Sequence, residues 1–332
     1  MTPIQTTVSF DMRAPAFGTP TRELYAAALD MAAFADDIGV NRIGLMEHHG
    51  SEDGYLPQPV TLAAAMAART KRLNFILGAV ILPLHDPVEI AEQIAILDLV
   101  SDGRAQVIFG AGYVKAEFDI FGVALADRAK LLDEKIAIIL RALHGERFEA
   151  RGRPVFVRPL PTRKPEDIIL VGGGVPASAR RAARFGVGFG PMRADLIPIY
   201  EEECRKAGRE PGAYHRPCHR LPGIIMLSDD PERTWAILEP HAFHVVAEYA
   251  KWAAQEPNSN SPFKGLTTLA ALRASGMFAV WTVDELVANA DKVEDRGTFM
   301  FQPLVGGFPP AEGWKSLELL KRAIPRLKAI AR

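Results

Sequence analysis

Glu47, His48 and His49 form an acid–histidine–histidine run at the end of a short apolar segment, residues 41–46. A histidine can donate a hydrogen bond or transfer a proton near neutral pH. Neighbouring side chains on an extended backbone point to opposite sides, so at most one of the two histidines faces the same site. The alternative interpretation is that one histidine packs and the other caps the following loop. We favour the first and predict one functional histidine here.

Gly110 and Gly112 directly follow a predicted strand at residues 104–109. Glycine lacks a Cβ atom, so its backbone can lie close to a bulky group. Where helices surround a sheet, ligands bind at loops that leave the carboxyl ends of strands. We therefore interpret this loop as part of a ligand-binding surface.

Three consecutive glycines, Gly172, Gly173 and Gly174, lie between a predicted strand and a predicted helix. Exposed backbone N–H groups at a helix start form an anion site suited to phosphate. Ser178 could add a hydroxyl group to it. The alternative is simple tight-turn geometry. The spacing is not GxGxxG after a first strand, so it does not favour a dinucleotide-binding fold.

Other residues that could ligate a metal do not form a convincing set. His215, Cys218 and His219 are closely spaced, but a zinc site needs a fourth ligand and usually a second cluster, so we favour a polar linker. His241 and His244 lie three residues apart on one side of a predicted helix, and we expect them to be solvated. We predict no metal centre and no cysteine nucleophile.

Strand-like and helix-like segments alternate from one end of the chain to the other. Eight strand–helix units with insertions in the βα loops favour an α/β fold of the (β/α)8 TIM-barrel type over an open sheet. The predicted strands cover residues 4–10, 41–46, 73–82, 104–109, 167–171, 187–189, 220–227 and 298–304. The predicted helices cover residues 21–38, 58–70, 87–100, 126–144, 176–185, 195–207, 231–255, 282–291 and 314–330. Thr21 is expected to cap the first helix and Asp86 the third.

The 332 residues are 48% hydrophobic and carry a formal charge of −1. The balanced charge argues against nucleic acid as the main partner. Two cysteines imply no disulfide framework. The first residues lack the pattern of a signal peptide, and no window reaches the roughly 18 apolar residues that span a bilayer. We therefore expect no membrane association and a cytoplasmic location.

Two regions interrupt the alternation. Residues 150–164 are rich in Arg and Pro and predict an extended or hairpin excursion. Residues 256–279 begin as a polar loop before the last strand. Insertions on the active face of a barrel commonly act as lids, although this one could equally be a connector. We expect one domain over residues 1–332, with a potential lid at residues 256–281.

Several motifs, taken together and in order, resemble the bacterial luciferase-like family of flavin-dependent monooxygenases. They are EHH at residues 47–49, GAVILPLHDPVEIAEQIAILDLVSDGR, GAGYVKAEFDIFGV and VGGGVPASARRAARFGVGF. They extend over roughly residues 1–230, and the remainder fits the last barrel units of the family. The resemblance implies a (β/α)8 barrel that binds a flavin at the carboxyl ends of its strands.

The resemblance also implies residue roles. His48 matches the active-site histidine, which in oxygenating members is thought to steady the flavin hydroperoxide and in F420-dependent members handles a proton during hydride transfer. Gly78 and Ala79 match a strand bulge behind the isoalloxazine ring, often with a non-prolyl cis peptide bond. The other implied cofactor-binding residues are Glu47 of the EHH motif, the wall Gly110, Gly112 and Tyr113, and the phosphate turn Gly172, Gly173 and Gly174 with Ser178.

One departure concerns the flavin phosphate. Luciferase carries an arginine in the loop after the fourth strand, whereas this chain has Ala111. Phosphate affinity must then come from the glycine-rich turn and its neighbours. Luciferase's own FMN contacts and its light emission are therefore not carried over to this chain.

Our first hypothesis is a monooxygenase that uses reduced FMN and O2 on a small organic substrate, through a C4a-(hydro)peroxyflavin. A separate flavin reductase is the expected source of reduced FMN, and the resemblance implies a homodimer. The alternatives are an F420-dependent oxidoreductase that transfers hydride without O2, or a flavin-binding protein without turnover. The retained His48 argues mildly against the last. A metal-dependent barrel hydrolase is less favoured because no His-x-His follows the first strand.

Overall fold

The computed structural model describes residues 4–215, 220–255, 263–293 and 297–330, where strands and helices alternate. The described strands are β1 (Gln5–Phe10), β2 (Arg42–Leu45), β3 (Asn74–Ile81), β4 (Ala105–Gly110), β5 (Phe148–Ala150), β6 (Arg153–Val155), β7 (Ile169–Gly173), β8 (Gly188–Pro191), β9 (Ile224–Leu227), β10 (Phe278–Trp281) and β11 (Thr298–Phe301). The described helices are α1 (Thr21–Ile38), α2 (Pro59–Ala67), α3 (Pro87–Ser101), α4 (Lys115–Ile120), α5 (Arg128–Leu143), α6 (Pro165–Ile168), α7 (Pro176–Phe185), α8 (Ile197–Lys206), α9 (Pro231–Ala254), α10 (Leu269–Ala274), α11 (Val283–Ala288) and α12 (Pro310–Ala329).

The chain groups into two compact units. The first unit comprises Met1–Gly44, His49–Pro57 and Cys218–Arg332, and the second Leu45–His48 and Gln58–Pro217. In the first unit, β1 pairs with β11, β11 with β9, and β9 with β10, all in parallel. In the second unit, β3 pairs with β4, β4 with β7, and β7 with β8, again in parallel. Parallel strands separated by helices are the pattern of an α/β fold.

Local sequence signals account for several helix ends. Helices α1 and α7 have the predicted bounds, and each ends at a glycine in the left-handed conformation, Gly39 and Gly186. Such a glycine accepts the backbone geometry that stops a helix without steric cost. The predicted cap of α3 is confirmed, because the Asp86 carboxylate accepts hydrogen bonds from two backbone N–H groups of the first turn. The predicted cap at Thr21 is wrong: Pro20 holds the capping position and makes no side-chain hydrogen bond.

The hairpin predicted as one possibility for the first irregular region is confirmed, whereas the second region contains elements that the sequence did not predict. The excursion before β7 is an antiparallel hairpin of β5 and β6 that begins two residues before residue 150. Helix α4, in the loop after β4, was not predicted, nor was strand β10. Both are short, and short elements depend more on packing than on propensity. The first part of the potential lid, residues 256–262, lies outside the described residues, and α10 and β10 occupy part of the remainder.

Packing of α9 against the sheet of the first unit forms a compact apolar core. Trp235 and Leu238 of α9 pack with Met226 of β9, Phe278 of β10 and Phe308. Full burial of an apolar side chain of this size contributes about 1.5–3 kcal/mol. This core holds the long helix firmly in place along its first half. Among the described helices, none is long and apolar enough to cross a membrane.

Candidate functional site

Several predicted site residues of the second unit lie at the carboxyl ends of parallel strands, whereas Gly78 and Ala79 lie within β3 and Ser178 within α7. Strands β3, β4, β7 and β8 are successive parallel neighbours, so their carboxyl ends share one edge of the sheet. The loop with Gly112 leaves β4, and the glycine turn ends β7. In barrel enzymes this is the edge that carries catalytic residues.

His48 forms a buried pair with Glu117. The Nδ1 atom of His48 lies 2.7 Å from Oε1 of Glu117, and these residues are 7% and 1% exposed. A carboxylate is an acceptor only, so Nδ1 donates and Nε2 becomes the basic nitrogen. Glu117 belongs to α4, which the sequence analysis did not predict. The sequence signal for α4 is the AEF segment after the glycine loop, which can be interpreted as part of a helix.

Glu47 lies in a second hydrogen-bonded group. Its carboxylate accepts hydrogen bonds from Nε2 of His85 at 2.7 Å and from the backbone N–H of Ile81 at 3.3 Å. The Lys135 ammonium group, reaching from α5, donates to the carbonyl oxygens of Pro83 and His85, both at 2.6 Å. Burial lowers the pKa of Lys135 to about 8. Glu47 and Lys135 therefore fix both ends of the turn that follows β3.

The peptide bond between Gly78 and Ala79 is cis, as the family resemblance implies. The register between β3 and β4 shifts at this point, from Gly78 opposite Ile108 to Val80 opposite Phe109. A Cβ atom on Gly110 would lie 2.9 Å from Cβ of Ala79. Gly110 is thus required by the bulge of the neighbouring strand.

Gly112 is explained by packing inside the protein. Its φ is +74°, and a Cβ atom there would lie 2.6 Å from Ile81 and 2.8 Å from Phe118. The close approach predicted from Gly110 and Gly112 is therefore made by the protein's own side chains. Tyr113 beside it is 39% exposed and meets the His48 ring edge-on, with centroids 6.1 Å apart.

The three glycines at the carboxyl end of β7, of which Gly174 comes just after the strand, differ in what they contact. A Cβ atom on Gly172 would lie 2.8 Å from Ile108, and one on Gly173, where φ is +154°, 2.7 Å from Ser178. At Gly174 a Cβ atom would have only ordinary contacts, 3.6 Å from Met192. The turn thus brings bare backbone to the start of α7, a ten-residue helix. The Ser178 hydroxyl is buried and donates to the carbonyl of Val175 at 2.6 Å.

Comparison with known families decides the classification. The family profile of luciferase-like monooxygenases matches residues 6–295. The chain belongs to the luciferase-like monooxygenase family. Its sequence is 26% identical over 242 residues to the alkanal monooxygenase alpha chain of Photorhabdus laumondii, covering 68% of this chain and 66% of that one. It is 34% identical over 120 residues to limonene 1,2-monooxygenase of Rhodococcus erythropolis, covering 36% and 30%. The chain spans about half the length of the first curated relatives that it matches, with 47% and 51% of their residues aligned.

Solved structures show the same fold. Monooxygenase RslO1 of Streptomyces bottropensis has a TM-score of 0.77 at 25% identity, covering 96% of this chain and 98% of that one. The oxygenating constituent of 3,6-diketocamphane monooxygenase of Pseudomonas putida, in complex with FMN, has a TM-score of 0.71 at 19% identity, covering 97% and 98%. An F420-dependent secondary alcohol dehydrogenase has a TM-score of 0.68 at 17% identity, covering 98% and 99%. These likenesses confirm the predicted α/β, (β/α)8 fold class.

Two predictions concern residues outside the luciferase-like motifs: the two histidines of α9, and the group His215, Cys218 and His219. His241 and His244 are not solvated: His241 is 6% exposed and shares a 2.8 Å hydrogen bond with the carbonyl of Gly306, and His244 bonds Asp53 at 2.8 Å. Both face the interior of the first unit, since α9 packs on its sheet. Cys218 and His219 lie outside the described residues, and His215 lies 3.2 Å from the amide oxygen of Gln106.

Proposed function

We propose that the chain is a flavin-dependent monooxygenase that uses reduced FMN and O2 on a small organic substrate. The observation that carries the proposal is the buried His48–Glu117 pair beside the β3–β4 bulge. A histidine whose Nδ1 is held by a carboxylate presents Nε2 as a proton acceptor of fixed orientation. The same carboxylate stabilises the imidazolium that forms when Nε2 takes a proton.

The residues around this pair fit a flavin. The Gly78–Ala79 bulge of β3 places backbone and a single methyl group, rather than large side chains, beside β4. The bare backbone of Gly174 at the start of α7 suits the terminal phosphate. Ser178 can accept a hydrogen bond but commits its own proton to Val175. We therefore assign the phosphate to the glycine backbone, and Glu47 to positioning the turn after β3.

In this proposal the flavin supplies the reducing equivalents that activate O2, and the protein supplies proton handling and positioning. His48 accepts or returns a proton at Nε2, and Glu117 holds its ring. Tyr113, partly exposed, covers one edge of the His48 ring and limits the access of water. A separate reductase as the source of reduced FMN belongs to the same proposal.

The runner-up is F420-dependent hydride transfer without O2. One similar structure is an F420-dependent alcohol dehydrogenase and another is an FMN complex, so the fold accommodates either cofactor class. The relatives at higher identity are monooxygenases by name, and this favours FMN. A binding protein without turnover is disfavoured because a buried acid–histidine pair has no evident purpose in simple binding.

The deciding experiment compares the two reduced cofactors under anaerobic conditions. FMNH2 is expected to bind at micromolar concentration or better, and F420H2 much more weakly. Admission of O2 to the FMNH2 complex should then consume oxygen in a substrate-dependent manner. Oxidation of F420H2 by a substrate, without oxygen uptake by the FMNH2 complex, would contradict the proposal. His48→Ala should reduce turnover while flavin binding stays largely intact; a large loss of binding would contradict the role of His48.

We also propose a homodimer. Helix α3 carries an exposed apolar stripe of Ile96, Leu99 and Val100, which are 44%, 40% and 44% exposed. Their i, i+3 and i+4 spacing places them on one side of the helix. A self-complementary apolar stripe on a helix is suited to a two-fold contact with a second copy.

A further inference from the structure

Met192 is an exposed methionine just beyond the carboxyl end of β8. The residue is 68% exposed. Every other methionine in the described part of the chain is buried or half-buried. The exposure of a sulfur atom governs how readily an oxidant in solution reaches it. Met192 is therefore the described methionine that such an oxidant reaches first.

The Met192 side chain lies beside the glycine turn at the end of β7. Its backbone N–H donates to the carbonyl oxygen of Gly173 at 3.0 Å, which joins the loop after β8 to the turn. A Cβ atom on Gly174 would lie 3.6 Å from both Cβ and Sδ of Met192. The thioether sulfur therefore borders the space beside Gly174 that the proposed function assigns to the flavin phosphate.

Oxidation of this sulfur changes the chemistry next to the turn. Methionine is apolar, whereas methionine sulfoxide carries a polar oxygen that accepts hydrogen bonds. Because the sulfur of Met192 already borders Gly174, the sulfoxide oxygen would compete with a phosphate for the backbone N–H groups at the start of α7. Its partial negative charge would also oppose the charge of the phosphate. Oxidised Met192 should therefore weaken phosphate binding at the turn.

The oxidant for this step is hydrogen peroxide, which the proposed function can itself supply. When reduced FMN meets O2 and no substrate accepts oxygen, two electrons and two protons pass from FMNH2 to O2 and give FMN and hydrogen peroxide. The sulfur of Met192 then attacks one peroxide oxygen, so that an S–O bond forms and the O–O bond breaks. The second oxygen leaves as water with both protons. Sulfoxide and water are the only products of this step.

We propose that Met192 is a peroxide-sensitive modification site, and that its oxidation to the sulfoxide weakens binding of the flavin phosphate at the turn of Gly172, Gly173 and Gly174. The inference rests on the proposed function, because that function provides both the phosphate and the peroxide. The result is a feedback on the cofactor. A chain that consumes FMNH2 without substrate lowers its own affinity for FMNH2, and reduction of the sulfoxide restores it.

The test combines mass spectrometry with cofactor titration on the flavin-free chain. The chain is treated with millimolar hydrogen peroxide, the peroxide is removed, and sulfoxide is measured at each methionine. Trypsin releases residues 185–193 as a peptide in which Met192 is the only methionine. Met192 is expected to oxidise before the other methionines. Anaerobic titration should then show an FMNH2 dissociation constant raised by about tenfold, because a hydrogen bond to a charged group contributes roughly that factor.

Variants assign the effect to the sulfur of Met192. Met192→Leu has an apolar side chain that peroxide does not oxidise, so its FMNH2 affinity should be the same before and after treatment. Met192→Gln places a polar group at the same position and should weaken FMNH2 binding without peroxide. Met277→Leu, at a half-buried methionine, is the matched control and should remain sensitive to peroxide. Enzymes that reduce both epimers of methionine sulfoxide should restore the affinity of the oxidised wild type.

Three results would overturn the proposal. They are sulfoxide that forms at other methionines before Met192, sulfoxide at Met192 that leaves the FMNH2 dissociation constant unchanged, and a peroxide-induced loss of affinity that persists in Met192→Leu. None of the three alters oxygen uptake by the FMNH2 complex of the untreated chain, so the proposed function would stand. An untreated chain that does not bind FMNH2 would instead contradict both proposals.

Discussion

Glu117 is the residue that gives His48 a defined orientation. A 2.7 Å hydrogen bond joins two side chains that are almost fully buried. In a site of low dielectric constant, such a charge-assisted bond is stronger than it would be in water. The pair is therefore the part of the site where a conservative substitution should have a large effect.

Glu117→Gln removes the charge and keeps the shape. We expect turnover with FMNH2 and O2 to fall at least about tenfold, because the imidazolium loses its carboxylate and general acid–base catalysis typically contributes 10²–10⁴-fold. Reduced-flavin binding should change little. Glu117→Asp, which keeps the charge, should retain more activity, and exposed Glu149→Gln is the matched control. Equal activity of Glu117→Gln and the wild type would contradict the role of the pair.

Asp11 makes the stability of the first unit depend on pH, in a direction that its shifted pKa sets. Its pKa is raised by burial from 3.8 to about 6. The folded state then binds the proton more tightly than the unfolded state. The resulting contribution to the free energy of unfolding is fully present below pH 4 and is lost as the pH rises through 6. The shift corresponds to about 3 kcal/mol in the free energy of unfolding.

Asp11→Asn should remove this loss of stability at rising pH. Urea unfolding of wild type and variant at pH values from 4 to 7 is expected to show the variant gaining about 3 kcal/mol relative to wild type as the pH rises. Asp37→Asn, at an exposed position of α1, serves as the control. Parallel stability curves for wild type and Asp11→Asn would show that Asp11 titrates normally.

At the scale of elements, the strand-to-helix turns have two kinds of glycine. Gly112 has a positive φ and no room for a Cβ atom, whereas a Cβ atom on Gly174 would make only ordinary contacts. The first glycine is required by the fold. Gly174 could be replaced by alanine without strain. If the protein nevertheless requires a glycine there, the reason would be a bound ligand.

Gly112→Ala and Gly174→Ala should therefore behave differently. We expect Gly112→Ala to lower stability by about 1–3 kcal/mol through overpacking against Ile81 and Phe118. Gly174→Ala should leave the thermal transition nearly unchanged but weaken FMNH2 binding, because a methyl group would crowd the phosphate. Anaerobic titration and thermal unfolding measure the two effects. Unchanged FMNH2 affinity in Gly174→Ala would remove the turn from the phosphate site.

At the scale of the whole molecule, the exposed apolar stripe on α3 is the proposed contact between two copies of the chain. Leu99→Asp should shift the chain from dimer to monomer in size-exclusion chromatography with light scattering, because a charge in an apolar contact costs desolvation energy. Exposed Glu92→Gln on the same helix is the control. A wild-type chain that is monomeric at high micromolar concentration would refute the homodimer.

Much of the fold follows from the sequence because its signals are local. Gly39 and Gly186 end helices, Asp86 caps one, and the apolar run that becomes β3 is typical of a strand buried on both faces. Helix α4 and strand β10 could not be read in this way. Each is at most six residues long, and pairing or packing with distant residues decides whether it forms.

The sequence by itself determined the α/β alternation, the family and the position of His48 at a strand end. Only the tertiary structure decided which groups these residues meet. It placed Glu117 against His48 across 69 positions, filled the space beside Gly112 with Ile81 and Phe118, and buried Arg13 among aromatic rings from distant segments. The physical reason is that periodicity and caps are encoded within a few residues. Hydrogen-bond partners and charge environments, by contrast, depend on segments that meet only after the chain has folded.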